Sequence, residues 1–211
     1  MRAGNRRGAG RRIHLEDLAG DAGWCRLAEI EGIDVDLRYA GRDNFAGRVL
    51  YPGMDCAWLR REAAEGLARA AAWLAVQRPG VRLRVLDALR PQRVQESIWA
   101  EVEGTPMAHY FAEPRRGSIH SFGMAVDVTL LHADGREADM GSGFDEMSLA
   151  SHPALDAEHL ALGLLSAAQL AERGWLYAAM ARGGFHGIPS EWWHFDHGDR
   201  DAVRRELVRV R

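Results

Sequence analysis

The sequence predicts one α+β domain, built on a mostly antiparallel sheet flanked by helices. Its 211 residues suffice for one domain with a sizeable core and are barely enough for two. Segments with strand-like alternation of apolar and polar residues occur along the same chain as segments with apolar residues at helical spacing. No internal repeat, low-complexity core or linker divides the chain. We therefore expect a single domain at residues 13–211, preceded by a disordered, arginine- and glycine-rich tail at 1–12.

The first strand and the first helix are predicted in the N-terminal part. Apolar and charged residues alternate over 33–39, which indicates a half-buried strand. Asp55 is a suitable N-cap for a helix whose apolar residues recur at helical spacing up to Gln77. The Arg-Pro-Gly sequence at 78–80 then ends that helix.

A second strand and a second helix are predicted next. Residues 81–86 alternate as a strand. Pro91 suits the first position of a helix, and Gly104 ends it. Residues 105–117 are predicted to form an irregular loop.

A third strand and a hairpin turn are predicted in the centre of the chain. Alternation over 124–130 places Asp127 on the face opposite the valines. The Asp-Gly pair at 134–135 is a hairpin signal. Residues 136–153 are predicted to be loop.

The C-terminal part is predicted to hold one more helix and a last strand. Ser166 and Gln169 form a capping-box pattern that opens a helix to about Arg182. The last strand contains residues 193–195. The inner face of the helix is predicted to hold Leu170, Tyr177 and Met180.

Composition and charge argue against several classes of function. With 47% hydrophobic and 27% charged residues, the chain is typical of globular proteins. A net charge of −3 gives no general attraction to nucleic acid or to an anionic membrane, so neither is a predicted partner. No apolar run of the kind found in signal peptides follows the N-terminal arginines, so we expect a cytoplasmic protein. A homo-oligomer is left open.

A histidine and an aspartate stand seven positions apart in the sequence SIHSFGMAVD at 118–127. His120 lies just before the predicted strand, and Asp127 lies within it. The two side chains can meet on one metal ion only if the segment between them turns back. Gly123 gives the backbone that freedom.

A second pair, Glu191 and His194, stands three positions apart near the C-terminus. On a helix the two would share a face, as in the HExxH motif of metalloproteases, but Pro189 and the surrounding aromatic residues disfavour a helix. On a straight strand they would point to opposite sides, so a bend at 191–192 is needed for the histidine to bind metal beside the glutamate.

Two histidines, one aspartate and a spare glutamate are the components of a catalytic zinc site. Three side chains hold the ion, and the free carboxylate takes a proton from water at the fourth position. The alternative is that some of the nine histidines and the acidic residues are close by chance, with no metal between them.

The two motifs resemble the SxHxxGxAxD and ExWH signatures of the zinc D-alanyl-D-alanine dipeptidases, the VanX-type peptidases, which have a hedgehog/D,D-peptidase-like fold. The likeness extends over most of residues 33–195. DLRYAGRDNFAG is similar to the family segment YxxxxNFxG, DALRP to DxYRP, and MGSGFDEMSLASH to MGxxFDxxxxxSH. Together these segments are highly specific.

The resemblance implies a role for each matching residue. One zinc ion per chain would be bound by His120, Asp127 and His194. Glu191 would act as general base and then acid, and Arg90 would stabilise the developing oxyanion. The residues implied to bind substrate, or to line or support its pocket, are Ser118, Asp145, Tyr39 and Asp87. For Arg90 an ion pair with Asp87, and for Asp145 a loop-capping role, are the structural alternatives.

The implied function is hydrolysis of the dipeptide D-Ala-D-Ala, a peptidoglycan building block, by a single zinc D,D-dipeptidase domain. Two departures from the family pattern bear on the shape of the pocket. Leu89 stands at the tyrosine of DxYRP, and Leu149-Ala150 replaces the Glu-Arg often found before the Ser-His pair. Two alternative functions stay open: a zinc D,D-carboxypeptidase or endopeptidase acting on longer wall peptides, and a zinc-binding module without hydrolytic activity.

Overall fold

The computed structural model describes residues 12–211, which form seven strands, five α-helices and several 3₁₀ turns. Residues 1–11 of the predicted tail lie outside the described residues. The strands are β1 (Trp24–Arg26), β2 (Ile33–Val35), β3 (Trp58–Arg60), β4 (Arg82–Asp87), β5 (Ala125–Leu131), β6 (Phe185–Ile188) and β7 (Glu191–His197). The helices are α1 (Arg61–Gln77), α2 (Gln92–Val102), α3 (Asp156–Ala161), α4 (Ala167–Arg182) and α5 (Arg200–Glu206). Over the described residues, no helix is both long and apolar enough to cross a lipid bilayer.

The main sheet has five strands in the order β2-β4-β5-β7-β6. β2 pairs with β4 in parallel, and the other neighbouring strands pair antiparallel. β5 lies in the middle, and all seven of its residues are buried. The predicted α+β class with a mostly antiparallel sheet is therefore confirmed.

The strand predicted at 33–39 is shorter than expected. Only Ile33–Val35 is strand, and the chain turns into a 3₁₀ helix at Arg38–Ala40. β2 lies at the edge of the sheet, where it has one neighbour, and Val35 is 40% exposed. The alternation correctly predicted a strand, but it did not show that an edge position would leave one of its apolar residues uncovered.

The helix predicted to start after Asp55 begins at Arg61 instead. Asp55 makes an ion pair with Arg26 at 2.6 Å, and the chain from Trp58 to Arg60 pairs with β1. Trp58 is buried in an apolar cluster that also contains Trp24 and Tyr39, so a tertiary contact overrides the local capping signal.

The second strand and helix agree with the prediction within one residue. β4 lies one residue later than the strand predicted at 81–86, and Pro91 is the N-cap residue rather than the first residue of α2. The helix ends just before Gly104, whose φ of +78° lies in the left-handed region. The loop at 105–117 contains one 3₁₀ turn, Pro106–Tyr110.

The hairpin and the capping box are both present. Leu131 and Glu137 form an antiparallel bridge across the predicted turn. At the start of α4, the Ser166 hydroxyl accepts a hydrogen bond from the Gln169 N–H, and the Gln169 side chain accepts one from the Ser166 N–H. The predicted inner face is only partly right: Met180 is buried, whereas Leu170 and Tyr177 are half-buried.

A buried arginine occupies the inner face of α4. Arg173 forms an ion pair with Asp156 and donates hydrogen bonds to the backbone carbonyls of Met140 (2.8 Å) and Ala150 (2.7 Å). These contacts tie the long loop at 136–153 to the helix. The loop carries one of the candidate substrate-binding residues, so Arg173 helps to fix that residue in place.

Candidate active site

The sheet register places three candidate residues in one row. Asp87 at the end of β4 lies opposite Asp127 on β5, and Asp127 lies opposite His194 on β7. Directly opposed residues of antiparallel strands have Cβ atoms about 4.5–5.5 Å apart. A register shift between Val85 and Asp87 brings Asp87 into this row.

His120 reaches the row from the 3₁₀ turn Ile119–Phe122, which precedes β5. Gly123 ends this turn with a φ of +69°, a conformation that side chains with a Cβ rarely adopt. A Cβ at this position would also collide with the Trp24 ring. The predicted turn between His120 and the strand is therefore present, and it depends on the glycine.

The strand that carries Glu191 and His194 is irregular, as their spacing required. On the adjacent strand β6, Gly187 pairs with Phe195 and the next residue, Ile188, pairs with Glu191. β7 therefore bulges between Glu191 and Phe195. The bulge removes the strict alternation that would send the two functional side chains to opposite faces.

Three ligand atoms converge at the end of the row. His120 Nε2 lies 3.1 Å from His194 Nδ1, and Asp127 Oδ1 lies 3.0 Å from His194 Nδ1 and 3.3 Å from His120 Nε2. All three side chains are buried, and within residues 12–211 they are the one group of histidine, cysteine and acidic side chains placed to hold a metal ion. The imidazole ring centroids lie 4.9 Å apart.

Both imidazoles are fixed in orientation by hydrogen bonds on their far sides. The Nδ1–H of His120 donates to the carbonyl oxygen of Ala88 at 2.7 Å, and the Nε2–H of His194 donates to Asp196 Oδ1 at 2.9 Å. In a neutral imidazole each bond sets the tautomer, so that the other ring nitrogen carries the lone pair. Two lone pairs and one carboxylate oxygen therefore face one another.

The electrostatics of this group favour a positive charge at its centre. Burial alone would raise the pKa of Asp127, but the adjacent His120 and His194 hold it well below its usual range. Burial would lower the pKa of His194, but Asp196 and Asp127 outweigh burial and raise it. A metal cation would supply this positive charge.

Arg90 lies beside the metal-ligand group and is held by two side chains. Its Nη2 lies 2.7 Å from Asp87 Oδ2, its Nη1 donates to Gln95 Oε1 at 3.2 Å, and its Nη2 lies 3.7 Å from Asp127 Oδ2. Asp87 in turn accepts a hydrogen bond from the Tyr51 hydroxyl at 2.6 Å. The guanidinium is therefore rigidly placed, in addition to forming the ion pair that the sequence suggested.

Asp145 joins the site from the loop between β5 and α3. It accepts hydrogen bonds from the Phe45 N–H at 3.2 Å and the Tyr39 hydroxyl at 3.5 Å. The Tyr39 ring also lies under Arg90, whose guanidinium carbon is 4.8 Å from the ring centroid. Asp145 has a φ of +57°, which is strained for a residue with a side chain, and such strain is often found at functional sites.

Glu191 and Ser118 complete the placement of the predicted residues. Glu191 is buried, and among the described residues no side chain or backbone group makes a hydrogen bond or ion pair with its carboxylate. Ser118 is buried at the start of the turn that carries His120. Of the two departures from the family pattern, Leu89 is fully buried, and Leu149 is 62% exposed.

The raised pKa values of two buried carboxyl groups predict how stability depends on pH in the metal-free protein. Burial raises the pKa of Glu191 to about 7 and that of Asp145 to about 8. The folded protein therefore retains protons that the unfolded chain loses above pH 4.5 and 3.8, the ordinary values. We expect the free energy of unfolding in the presence of a chelator to fall as pH rises from about 4 to 8, with a limiting slope of about 1.4 kcal/mol per pH unit for each group. Urea titrations at several pH values measure this slope.

The control for this prediction is Asp145→Asn, which removes one of the two titrating groups. Its unfolding free energy should fall less steeply over the same pH range. A slope unchanged from that of the parent protein would contradict the assignment of a raised pKa to Asp145.

Sequence reasoning missed three side chains that support the site. Tyr51 and Gln95 hold the Asp87–Arg90 pair, and no local pattern pointed to either residue. Asp196 is hydrogen-bonded to His194, and here a signal was present: residues two apart on a strand share a face, so an acid at this position could have been found.

Comparison with known proteins assigns the chain to a family. Residues 21–210 match the model of the peptidase M15 family described as D-ala-D-ala dipeptidase. The chain is 39% identical over 164 residues to a D-alanyl-D-alanine dipeptidase of Escherichia coli K12, and the match covers 78% of each chain. It is 30% identical over 194 residues to a D-alanyl-D-alanine dipeptidase of Streptomyces coelicolor, covering 79% of this chain and 86% of that one.

Among solved structures, that of the LD-carboxypeptidase LdcB matches 75% of this chain and 73% of its own, with 18% identity and a TM-score of 0.42. This likeness is too distant to support an argument. The family model and the two relatives are sufficient: the chain belongs to the D-alanyl-D-alanine dipeptidase family of M15 peptidases, and it is a hydrolase.

Proposed function

We propose that this chain is a zinc-dependent dipeptidase that hydrolyses D-Ala-D-Ala to two molecules of D-alanine. One zinc ion would be held by His120, Asp127 and His194, in a single catalytic domain at 13–211. The observation that carries the proposal is the convergence of these three ligand atoms, together with a buried carboxylate, Glu191, that interacts electrostatically with all three side chains.

The spacing of the ligand atoms fits zinc. Ligands about 2.0–2.1 Å from a tetrahedral ion lie about 3.3 Å from one another. The three separations here are 3.0, 3.1 and 3.3 Å. Two neutral imidazoles and one carboxylate are also a donor set that zinc prefers, and with three protein ligands a fourth position is left for water.

Glu191 is suited to move a proton between water and the leaving group. Zinc, when bound, lowers the pKa of water to near 7 and polarises a carbonyl group. The Glu191 carboxylate would accept the proton of the attacking water and later give it to the amine of the departing D-alanine. Burial raises the pKa of Glu191 to about 7, which brings it close to the pH at which the proton must be both taken and released.

Arg90 is suited to stabilise the oxyanion that forms when water attacks the peptide carbonyl. Its bonds to Asp87 and Gln95 use Nε and one N–H on each Nη, so one donor remains on each Nη. A guanidinium fixed in this way needs no rearrangement as negative charge develops.

Asp145 is suited to bind the ammonium group of a free dipeptide. It is buried and accepts a hydrogen bond from Tyr39, whose ring packs against the guanidinium of Arg90. A small pocket with one acidic group fits a substrate that carries its own ammonium group, and Ser118 would line this pocket. A cytoplasmic location, where free dipeptide is available rather than assembled wall, is part of this proposal.

The test is to load the purified protein with zinc, count the ions per chain and compare three substrates. We expect one zinc per chain and hydrolysis of D-Ala-D-Ala, with little turnover of L-Ala-L-Ala or of a pentapeptide ending in D-Ala-D-Ala. Preferential cleavage of the pentapeptide would favour a carboxypeptidase. Stoichiometric zinc without hydrolysis of any peptide would favour a binding module, and a mere trace of metal after reloading would reject the zinc site.

A further inference from the structure

The ring of His194 is held from behind by a pair of charged residues that is separate from the metal-ligand group. We propose that Asp196 and Arg200 are positioning residues, which fix the tautomer and the orientation of His194 and thereby set the affinity of the site for its metal. This inference rests on the proposed function in one respect only: it takes His194 as a metal ligand.

The contacts run in one line from the metal-ligand group to the protein surface. Asp196 Oδ1 accepts the Nε2–H of His194 at 2.9 Å, and Asp196 Oδ2 lies 2.8 Å from Arg200 Nε. Asp196 is 2% exposed, whereas the Arg200 side chain is 46% exposed. The line therefore starts in the core at His194 and ends in solvent.

The backbone holds Asp196 firmly in this position. On β7 it pairs with Ala125 of β5 on one side and with His186 of β6 on the other. A residue paired on both sides of a strand has little freedom, and its short side chain has few rotamers. Asp196 is therefore able to impose an orientation on His194 rather than follow it.

Arg200 makes the buried charge of Asp196 tolerable. A carboxylate taken out of water is costly unless hydrogen bonds and an opposite charge compensate it. Arg200 is the first residue of α5, four positions after Asp196, and it supplies that opposite charge. With Asp196 in this position, Nε2 of His194 faces the carboxylate and Nδ1 faces His120 and Asp127, so Nδ1 is the nitrogen presented to the metal.

A purely structural role for this pair makes a different prediction. If Asp196 and Arg200 only stabilised the fold, replacing them would lower the melting temperature of the metal-free protein and leave the metal affinity of the folded molecules unchanged. A positioning role predicts weaker zinc binding in molecules that remain folded. The two roles are therefore separated by measuring zinc affinity and metal-free stability on the same variants.

The test uses the full chain with Asp196→Ala, Asp196→Asn and Arg200→Gln, and competition between the protein and a chromophoric chelator for zinc. We expect Asp196→Ala to weaken zinc binding by about 10–100-fold. Asp196→Asn can still accept the His194 hydrogen bond and should lose less. Arg200→Gln should weaken zinc binding by a smaller factor, because Asp196, which bonds His194 directly, stays in place.

Two exposed charges on the same helix provide matched controls. Asp201 is 81% exposed and Arg205 is 66% exposed. Asp201→Asn and Arg205→Gln change the net charge of the region in the same two directions without touching His194, and both should bind zinc like the parent protein.

Zinc affinity of Asp196→Ala within about twofold of the parent, well below the loss expected for a residue that orients a metal ligand, would overturn the proposal. If that variant does not fold, Arg200→Gln decides in its place, and parent-like affinity there counts against the proposal. A parent protein that binds zinc but hydrolyses no peptide would refute the proposed function and leave this inference standing. A parent that binds no zinc would refute both.

Discussion

Replacing Glu191 by glutamine should lower kcat for D-Ala-D-Ala by about 10²–10⁴-fold while zinc stays bound. Glutamine has nearly the size and shape of glutamate, so the variant should fill the same buried position. It has no carboxylate to accept a proton from water and cannot deliver one to the leaving amine. Because Glu191 lies outside the group of three ligand atoms, the metal should be retained. Steady-state kinetics and metal analysis of the same sample measure both effects.

Glu103→Gln is a control for this change, since Glu103 is exposed just after the end of α2. It makes the same chemical substitution away from the site and should keep parent kinetics. Hydrolysis by Glu191→Gln at the parent rate would show that another group acts as the base. Loss of zinc together with activity would instead assign Glu191 to the ligand set.

The elements predicted well are those whose signals are local. The capping box at Ser166 and the glycine turn at Gly123 are decided by residues within a few positions, and both were predicted correctly. The start of α1 was wrong because pairing between β1 and β3 outweighs the capping tendency of Asp55. The partner strand β1 lies at least 29 residues before Asp55, so no local window of sequence around Asp55 shows this pairing.

The candidate site shows the same difference between features set by local sequence and features set by tertiary contacts. His120, Asp127 and His194 were predicted from two short motifs and a family resemblance, and the structure brings their ligand atoms together. Tyr51, which bonds Asp87, lies 36 residues before it, and Gln95, five residues after Arg90, reaches the guanidinium only through the turn from β4 into α2. Supporting residues of this kind belong to the tertiary structure, so a spacing pattern does not show them.

Replacing Arg90 by methionine should lower kcat/KM for D-Ala-D-Ala by about 10²–10³-fold, equivalent to roughly 3–4 kcal/mol of transition-state stabilisation. Methionine retains part of the apolar contact with the Tyr39 ring but removes every donor and the charge. Arg90→Lys should also be strongly impaired, since a lysine ammonium lacks the fork that bonds Asp87 and Gln95 while leaving donors for the oxyanion. Steady-state kinetics with zinc-loaded protein gives both values.

The competing explanation is that Arg90 serves only as the structural partner of Asp87. Arg84 offers a matched control, because it lies on β4, close in sequence to Arg90, and forms an ion pair at 2.6 Å with Asp34 of the edge strand β2. Arg84→Met removes an ion pair without removing an oxyanion donor, so it should reduce stability slightly and leave kcat/KM unchanged. If Arg90→Met also lost only stability and kept parent kcat/KM when folded, its guanidinium would have no part in the reaction. A loss in rate at full zinc occupancy requires that the guanidinium contribute to the transition state itself.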